Sequence, residues 1–283
     1  MVPVLAILAA FIPAILWLWF FHSRDRYERE PKALIIKLFL WGVLAMPWAA
    51  GFNELFQRIL GPTIERAGES GMIPLAVSLL VVMVVNLALN EEALKYLVTA
   101  NSVKGDPNFN EPVDGMIYMS TAALGFAAAE TVFYVIRGFV GVAREETIGA
   151  AFAFAFGNVA VLRALTGTIG HVTYSGIVGY SLAQYMILKR PGRLVPLGIA
   201  LATLLHASWN LTWWFQGIFA PDVRTWWIIN VSWYFALAMV ILAVGIGVYL
   251  LLLRRALAAS PFRAKQLTAA PTPPAAAESP PAT

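Results

Sequence analysis

The chain reads as an all-α, polytopic integral membrane helix bundle of 7–8 transmembrane helices, with one re-entrant or broken segment among them. Three observations carry this reading. First, 59% of the 283 residues are hydrophobic and only 13% are charged, against about 45–50% apolar residues in soluble domains. Mean hydropathy is +0.71. Second, several apolar runs exceed about 18 residues, the length at which a membrane-spanning helix becomes the default. Third, basic residues gather between those runs, where they act as topology determinants.

The first run, VPVLAILAAFIPAILWLWFF, has no basic segment before it. Trp and Phe stand where a cleavable signal needs small residues, so 2–21 reads as a retained helix. Further spans are expected at 33–50, 72–100, 114–142, 166–188, 194–216 and 225–253. The loop HSRDRYEREPK (22–32), the loop KRPGR (189–193) and the segment RRALAASPFRAK (254–265) are basic and should face the cytoplasm. Parity bears on the apolar stretch 148–165. If it spans, the two later basic segments land outside; if it is re-entrant or interfacial, seven spans satisfy all three. Seven spans put the N-terminus outside and the C-terminus in the cytoplasm. Gly157-Asn158 within this stretch and Thr166-Gly167-Thr168-Ile169-Gly170 after it favour a broken helix.

Segment 51–71 carries Glu54, Arg58, Glu65, Arg66 and Glu69 and reads as an external amphipathic stretch. Asp114, following Glu111-Pro112, is placed to cap the helix over 114–142. Residues 1–265 form one membrane-embedded domain, and 266–283 form an Ala/Pro-rich tail expected to be disordered. There is no cysteine, which excludes disulfides, thiolate nucleophiles and thiolate metal ligands. The net charge of +4 sits in loops and points to no nucleic acid.

Function has to be read from the ionisable groups inside the apolar runs. Each costs about 2.5–3.5 kcal/mol at the bilayer centre even on a forgiving scale. Glu91, Glu92, Glu130, His171 and His206 are such groups. At about 1.5 Å per residue from the cytoplasmic helix ends, Glu91 lies roughly 14 Å deep, His206 about 18 Å, and Glu130 and His171 about 24–26 Å. Four helices thus offer polar groups in one slab. Lys95 stands three residues after Glu92 and four after Glu91, so it can pair with either carboxylate and leave the other for chemistry. Glu130 has two readings, a site residue or a partner for Arg137, seven residues on and on the same helix face. His171 with Ser175, and His206 with Asn210, are pairs one helical turn apart. Imidazole there can bind metal, relay protons or, with Asn, donate to an oxyanion. Arg163 either pairs with a site glutamate or marks a cytoplasmic loop. His22 reads as ordinary surface. Trp213, Trp214, Trp226 and Trp227 read as interfacial belt, with Trp209 the exception beside His206.

The motif order resembles the PrsW family of intramembrane proteases, which is related to the CaaX prenyl endopeptidases and the Abi bacteriocin-processing proteins. EEALK supplies Glu91, Glu92 and Lys95; FAAAE supplies Phe126 and Glu130; HVTYS supplies His171 and Ser175; HASWN supplies His206 and Asn210. DRYEREP (25–31), DGMIY (114–118) and the spacing from Arg163 to His171 agree as well. The resemblance covers roughly residues 12–215. It implies a bacterial cytoplasmic-membrane endopeptidase acting on a membrane-anchored protein, such as an anti-sigma factor. Two mechanisms follow. In one, zinc is held by His171, His206 and Glu130, with another glutamate as base. In the other, as in the CaaX endopeptidases, Glu91 activates water without metal and His206 with Asn210 stabilises the oxyanion. Ligand count favours zinc. A proton-relay transporter is the competing reading, and the lack of an inverted repeat counts against it. A non-catalytic scaffold would gain stability by losing these polar groups.

Overall fold

The computed structural model describes residues 1–23, 28–71, 77, 80–219 and 233–263. Among them every regular element is helical. Helix α1 runs over Val2–Ser23, α2 over Lys32–Ile59 and α3 over Gly61–Glu69. Helix α4 joins a π-wound Val82–Leu89 to an α-helical Asn90–Val103. Helix α5 covers Pro112–Ala143, α6 Ile148–Met186, α7 Leu194–Phe219 and α8 Trp233–Ala258. Helices α1, α2, α5, α6, α7 and α8 are long and apolar enough to cross a membrane. The expected span at 72–100 is described only at 77 and from 80 onward, where it forms α4. The tail 266–283, Trp226 and Trp227 lie outside the described residues.

Helix α5 is the central post. It packs against α6, α2 and α1, while α7 packs on α6 and α8 closes against α7 and α6. Its first five turns are almost wholly buried, and small residues make that possible. A Cβ added at Gly125 would strike the Phe39 carbonyl of α2, and one at Gly115 would strike the Gly179 carbonyl of α6. Two backbones touch α5 there, which brings three helices within reach of one site.

The start of α5 is fixed by its own acidic residues. Asp114 is the third residue of the helix rather than its cap. Its Oδ2 accepts from the backbone N–H of Asn110 (2.9 Å) and Glu111 (2.8 Å), in a reciprocal capping box with Glu111. One turn on, the buried Tyr118 hydroxyl donates to Glu30, tying the 28–31 loop to this helix end.

Two sequence expectations change. Residues 51–59 continue α2 rather than starting an external stretch, and α3 follows after Leu60. The stretch 148–165 is neither re-entrant nor broken. It continues into α6 as one 39-residue helix with π-wound turns at Ala153–Ala160 and Arg163–Gly167. The expected breaking points, Gly157-Asn158 and Gly167, are absorbed by wider winding, which keeps the backbone hydrogen-bonded in an apolar setting. At 1.5 Å per residue α6 is about 58 Å long, well beyond a hydrocarbon core of about 30 Å.

Candidate active site

The paired glutamates open the α-helical half of α4. Adjacent residues on a helix diverge by about 100°, so the two carboxylates leave in different directions. Glu92 turns inward and is fully buried. Its Oε1 meets Lys95 Nζ at 2.6 Å and His206 Nδ1 at 3.0 Å, and its Oε2 accepts from Ser175 Oγ at 2.8 Å. Both oxygens are satisfied, as a buried charge requires. Glu91 faces a cavity of about 350 Å³. Its Oε2 is buried with no hydrogen-bond partner and lies 3.8 Å from His206 Nε2.

The cavity lies between α4, α5, α6 and α7. Glu130 and Tyr134 of α5, Arg163, Gly167, Gly170, His171 and Tyr174 of α6, and His206, Trp209, Asn210 and Trp213 of α7 line it with Glu91. Those of α6 follow helical spacing from 163 to 174, so one face of that helix forms a wall. Glu130 Oε2 pairs with Arg163 Nη2 and lies 2.8 Å from His171 Nε2. The Arg163 guanidinium stacks 4.3 Å over the Tyr134 ring. The partner of Glu130 is therefore Arg163, across helices, and not Arg137.

Hydrogen bonding orients both imidazoles. His206 Nδ1 faces the Glu92 carboxylate, an acceptor, so Nδ1 carries a proton, and Nε2 is turned toward Glu91. His171 is the reverse. Lys95 Nζ donates to its Nδ1 at 3.1 Å, so Nε2 carries the proton toward Glu130. The two rings meet edge to face with centroids 4.9 Å apart. Phe126 supports this pair, 5.6 Å from the His171 ring and 4.9 Å below Lys95 Nζ.

Residues 30–246 match the model of the PrsW family intramembrane metalloproteases. The chain belongs to this family. Protease PrsW of Bacillus subtilis (strain 168) is 26% identical over 226 residues, covering 77% of this chain and 89% of that protein. Protease PrsW of Geobacillus kaustophilus (strain HTA426) is 27% identical over 184 residues, covering 64% and 68%. Protease PrsW of Clostridioides difficile (strain 630) is 29% identical over 178 residues, covering 63% and 65%. No solved structure matches. The match starts after α1 and extends past residue 215 into α8, further than the motifs alone reach. As a member of the PrsW family the chain is a peptidase, and it is a multi-pass bacterial membrane protein.

The PrsW motif residues separate into two layers. Glu91, Glu130, His171, His206, Asn210 and Arg163 line the cavity; Glu92 and Lys95 stand behind it and hold the imidazoles, with Ser175 hydrogen-bonded to Glu92. Among the described residues the group whose donor atoms converge for a metal is Glu91, His171 and His206, with all three atoms within 4.8 Å of one another. The glutamate in that group is Glu91, where the sequence reading expected Glu130. Glu130 is drawn aside by Arg163. Sequence reading did not single out Tyr134 or Tyr174, and it placed Trp213 in the interfacial belt although it lines the cavity. The 163, 167, 170, 171, 174 face of α6 was the signal available for Tyr174.

Proposed function

We propose that the chain is an intramembrane endopeptidase that hydrolyses a peptide bond of a membrane-anchored protein in the cavity beside Glu91, with zinc as its cofactor. The carrying observation is that Glu91, His171 and His206, from three helices, bring their donor atoms together at a cavity whose wall also holds Glu130.

The donors suit zinc in kind and number. Two imidazoles and a carboxylate are a common catalytic set and leave one position for water. Glu91 Oε2 is a buried oxygen with no hydrogen bond to surrender. His206 offers Nε2, oriented by Glu92 as second-shell carboxylates orient metal-bound histidines. His171 offers a ring nitrogen after giving up one of its two contacts. Zinc bound there would act as a Lewis acid and make a coordinated water acidic.

The protein's own groups account for the remaining steps. The cavity takes an extended segment of the substrate, and its aromatic walls of Trp209, Trp213 and Tyr134 exclude bulk water. Glu130, held by Arg163, takes a proton from the attacking water as the new C–O bond forms. It then delivers that proton to the leaving amine as the C–N bond breaks. Asn210 donates to the carbonyl oxygen as charge develops there. Glu92 and Lys95 hold the two imidazoles, with Ser175 hydrogen-bonded to Glu92.

One observation favours a second reading without metal. Both His171 nitrogens are engaged, and the donor at Nδ1 is an ammonium, which leaves Nε2 protonated. In that reading Glu91 activates water directly. Metal content of the purified protein, with cleavage of a single-span reporter assayed before and after chelation, separates the two. Stoichiometric zinc with chelator-sensitive cleavage supports the first reading; metal-free, chelator-resistant cleavage supports the second. The substrate class includes regulatory proteins such as a membrane-anchored anti-sigma factor. The continuous α6 counts as one crossing, which supports seven spans with the N-terminus outside and the C-terminus in the cytoplasm.

A further inference from the structure

Tyr174 lies on α6 one turn beyond His171 and is 1% exposed. Its ring stacks on the His206 ring, with centroids 5.6 Å apart and planes 28° apart. Two glycines leave the slot this ring occupies. A Cβ at Gly245 of α8 would meet Tyr174 Cε1 at 3.1 Å, and one at Gly170 would meet Cε2 at 3.2 Å. Both are tighter than ordinary contact, so the absence of side chains at these two positions makes the room the ring occupies.

The hydroxyl at the end of this ring is buried and has no hydrogen-bond partner. Tyr174 nonetheless lines the cavity with Glu91, His206 and Asn210. A buried unpaired hydroxyl is costly, and phenylalanine would fill the same slot without that cost. A ligand in the cavity would complete the pairing.

The neighbouring groups say what such a ligand needs. His206 Nδ1 is already engaged by the Glu92 carboxylate, whereas the Tyr174 hydroxyl has no partner and Tyr174 and Asn210 line the same cavity. A phenol O–H and an amide N–H on one wall can share a single acceptor oxygen. We propose that Tyr174 is a further catalytic residue, whose hydroxyl donates a hydrogen bond to the substrate's carbonyl oxygen together with Asn210. The inference rests on the peptidase reading of this cavity. Donation to an oxygen that gains charge strengthens toward the transition state, so it should act on kcat rather than on KM.

The test uses full-length protein in liposomes. The probe is a synthetic single-span reporter with a fluorophore and a quencher flanking its membrane segment. Wild type, Tyr174→Phe and Glu91→Gln are compared. Tyr174→Phe is expected to lower kcat about 10²-fold with KM nearly unchanged, and to leave the thermal unfolding midpoint equal to or above that of wild type. A phosphinate analogue of the reporter, which mimics the tetrahedral centre, should lose affinity for Tyr174→Phe while the uncleaved reporter does not. If wild type cuts, Glu91→Gln does not and Tyr174→Phe matches wild type in kcat, the tyrosine assignment is overturned alone. A loss confined to KM overturns it too. If wild type leaves the reporter intact, or Glu91→Gln cuts equally well, the peptidase reading of the cavity fails and this inference with it.

Discussion

His206 Nδ1 lies 3.0 Å from Glu92 Oε1, and this contact gives two adjacent glutamates different work. Glu92 is bound by Lys95, Ser175 and His206 and holds the site together. Glu91, one residue earlier, has a buried oxygen with no hydrogen bond and faces the cavity.

That division predicts unequal stability effects. Glu92→Ala strands the buried Lys95 ammonium and should cost about 3–5 kcal/mol of folding stability. Adding Lys95→Met to Glu92→Gln removes both charges and should recover most of that loss. Glu91→Gln keeps the shape and has no hydrogen bond to lose, so it should leave stability near wild type. Unfolding midpoints of the purified variants in one detergent check all three.

Zinc binding should distinguish Glu91 from Glu130. Glu91→Gln and His206→Ala each remove a ligand and should abolish stoichiometric zinc in the purified protein. Glu130→Gln should keep zinc at about 10–100-fold weaker affinity, the loss typical of an outer-shell partner. Competition with a chromophoric chelator measures both outcomes. Zinc lost with Glu130→Gln but kept with Glu91→Gln would restore the His171, His206 and Glu130 set expected from the sequence.

Arg163 should matter through Glu130. Arg163→Met frees the Glu130 carboxylate to leave its place, and kcat should fall about 10–100-fold, by analogy with outer-shell losses. Arg163→Lys should recover little of this. A lysine has neither the planar fork for the carboxylate nor the flat face that stacks on Tyr134. Reporter cleavage rates of the two variants decide the point.

Much of this site was legible because charge is expensive in an apolar helix. Glu91, Glu92, Glu130, His171 and His206 stand out against their surroundings without any structure. Which carboxylate faces the cavity was not legible, since Glu91 and Glu92 differ only by one residue's rotation. The Arg163–Glu130 pair joins residues 33 apart; Arg137, on the same helix, looked equally able from spacing. Tyr174 carries no signal by itself, because a tyrosine in a membrane helix is ordinary. The π winding of α6 was read as a break because Gly157-Asn158 and Gly167 usually mark one. Hydrogen bonding in an apolar setting holds the helix together there.

The continuity of α6 has a topological consequence. In the proposed seven-span topology the continuous helix 148–186 crosses once, so a reporter fused after Arg190 should read out in the cytoplasm. Paired fusions active in the cytoplasm or in the periplasm check it. A periplasmic readout would require an eight-span arrangement.

The most direct measurement compares cleavage of one single-span reporter by wild type and by Glu91→Gln, in the same liposomes and at matched zinc. Wild type should cut the reporter, and Glu91→Gln should be folded and inactive. A folded Glu91→Gln protein that cuts at the wild-type rate would contradict the placing of the chemistry at this cavity.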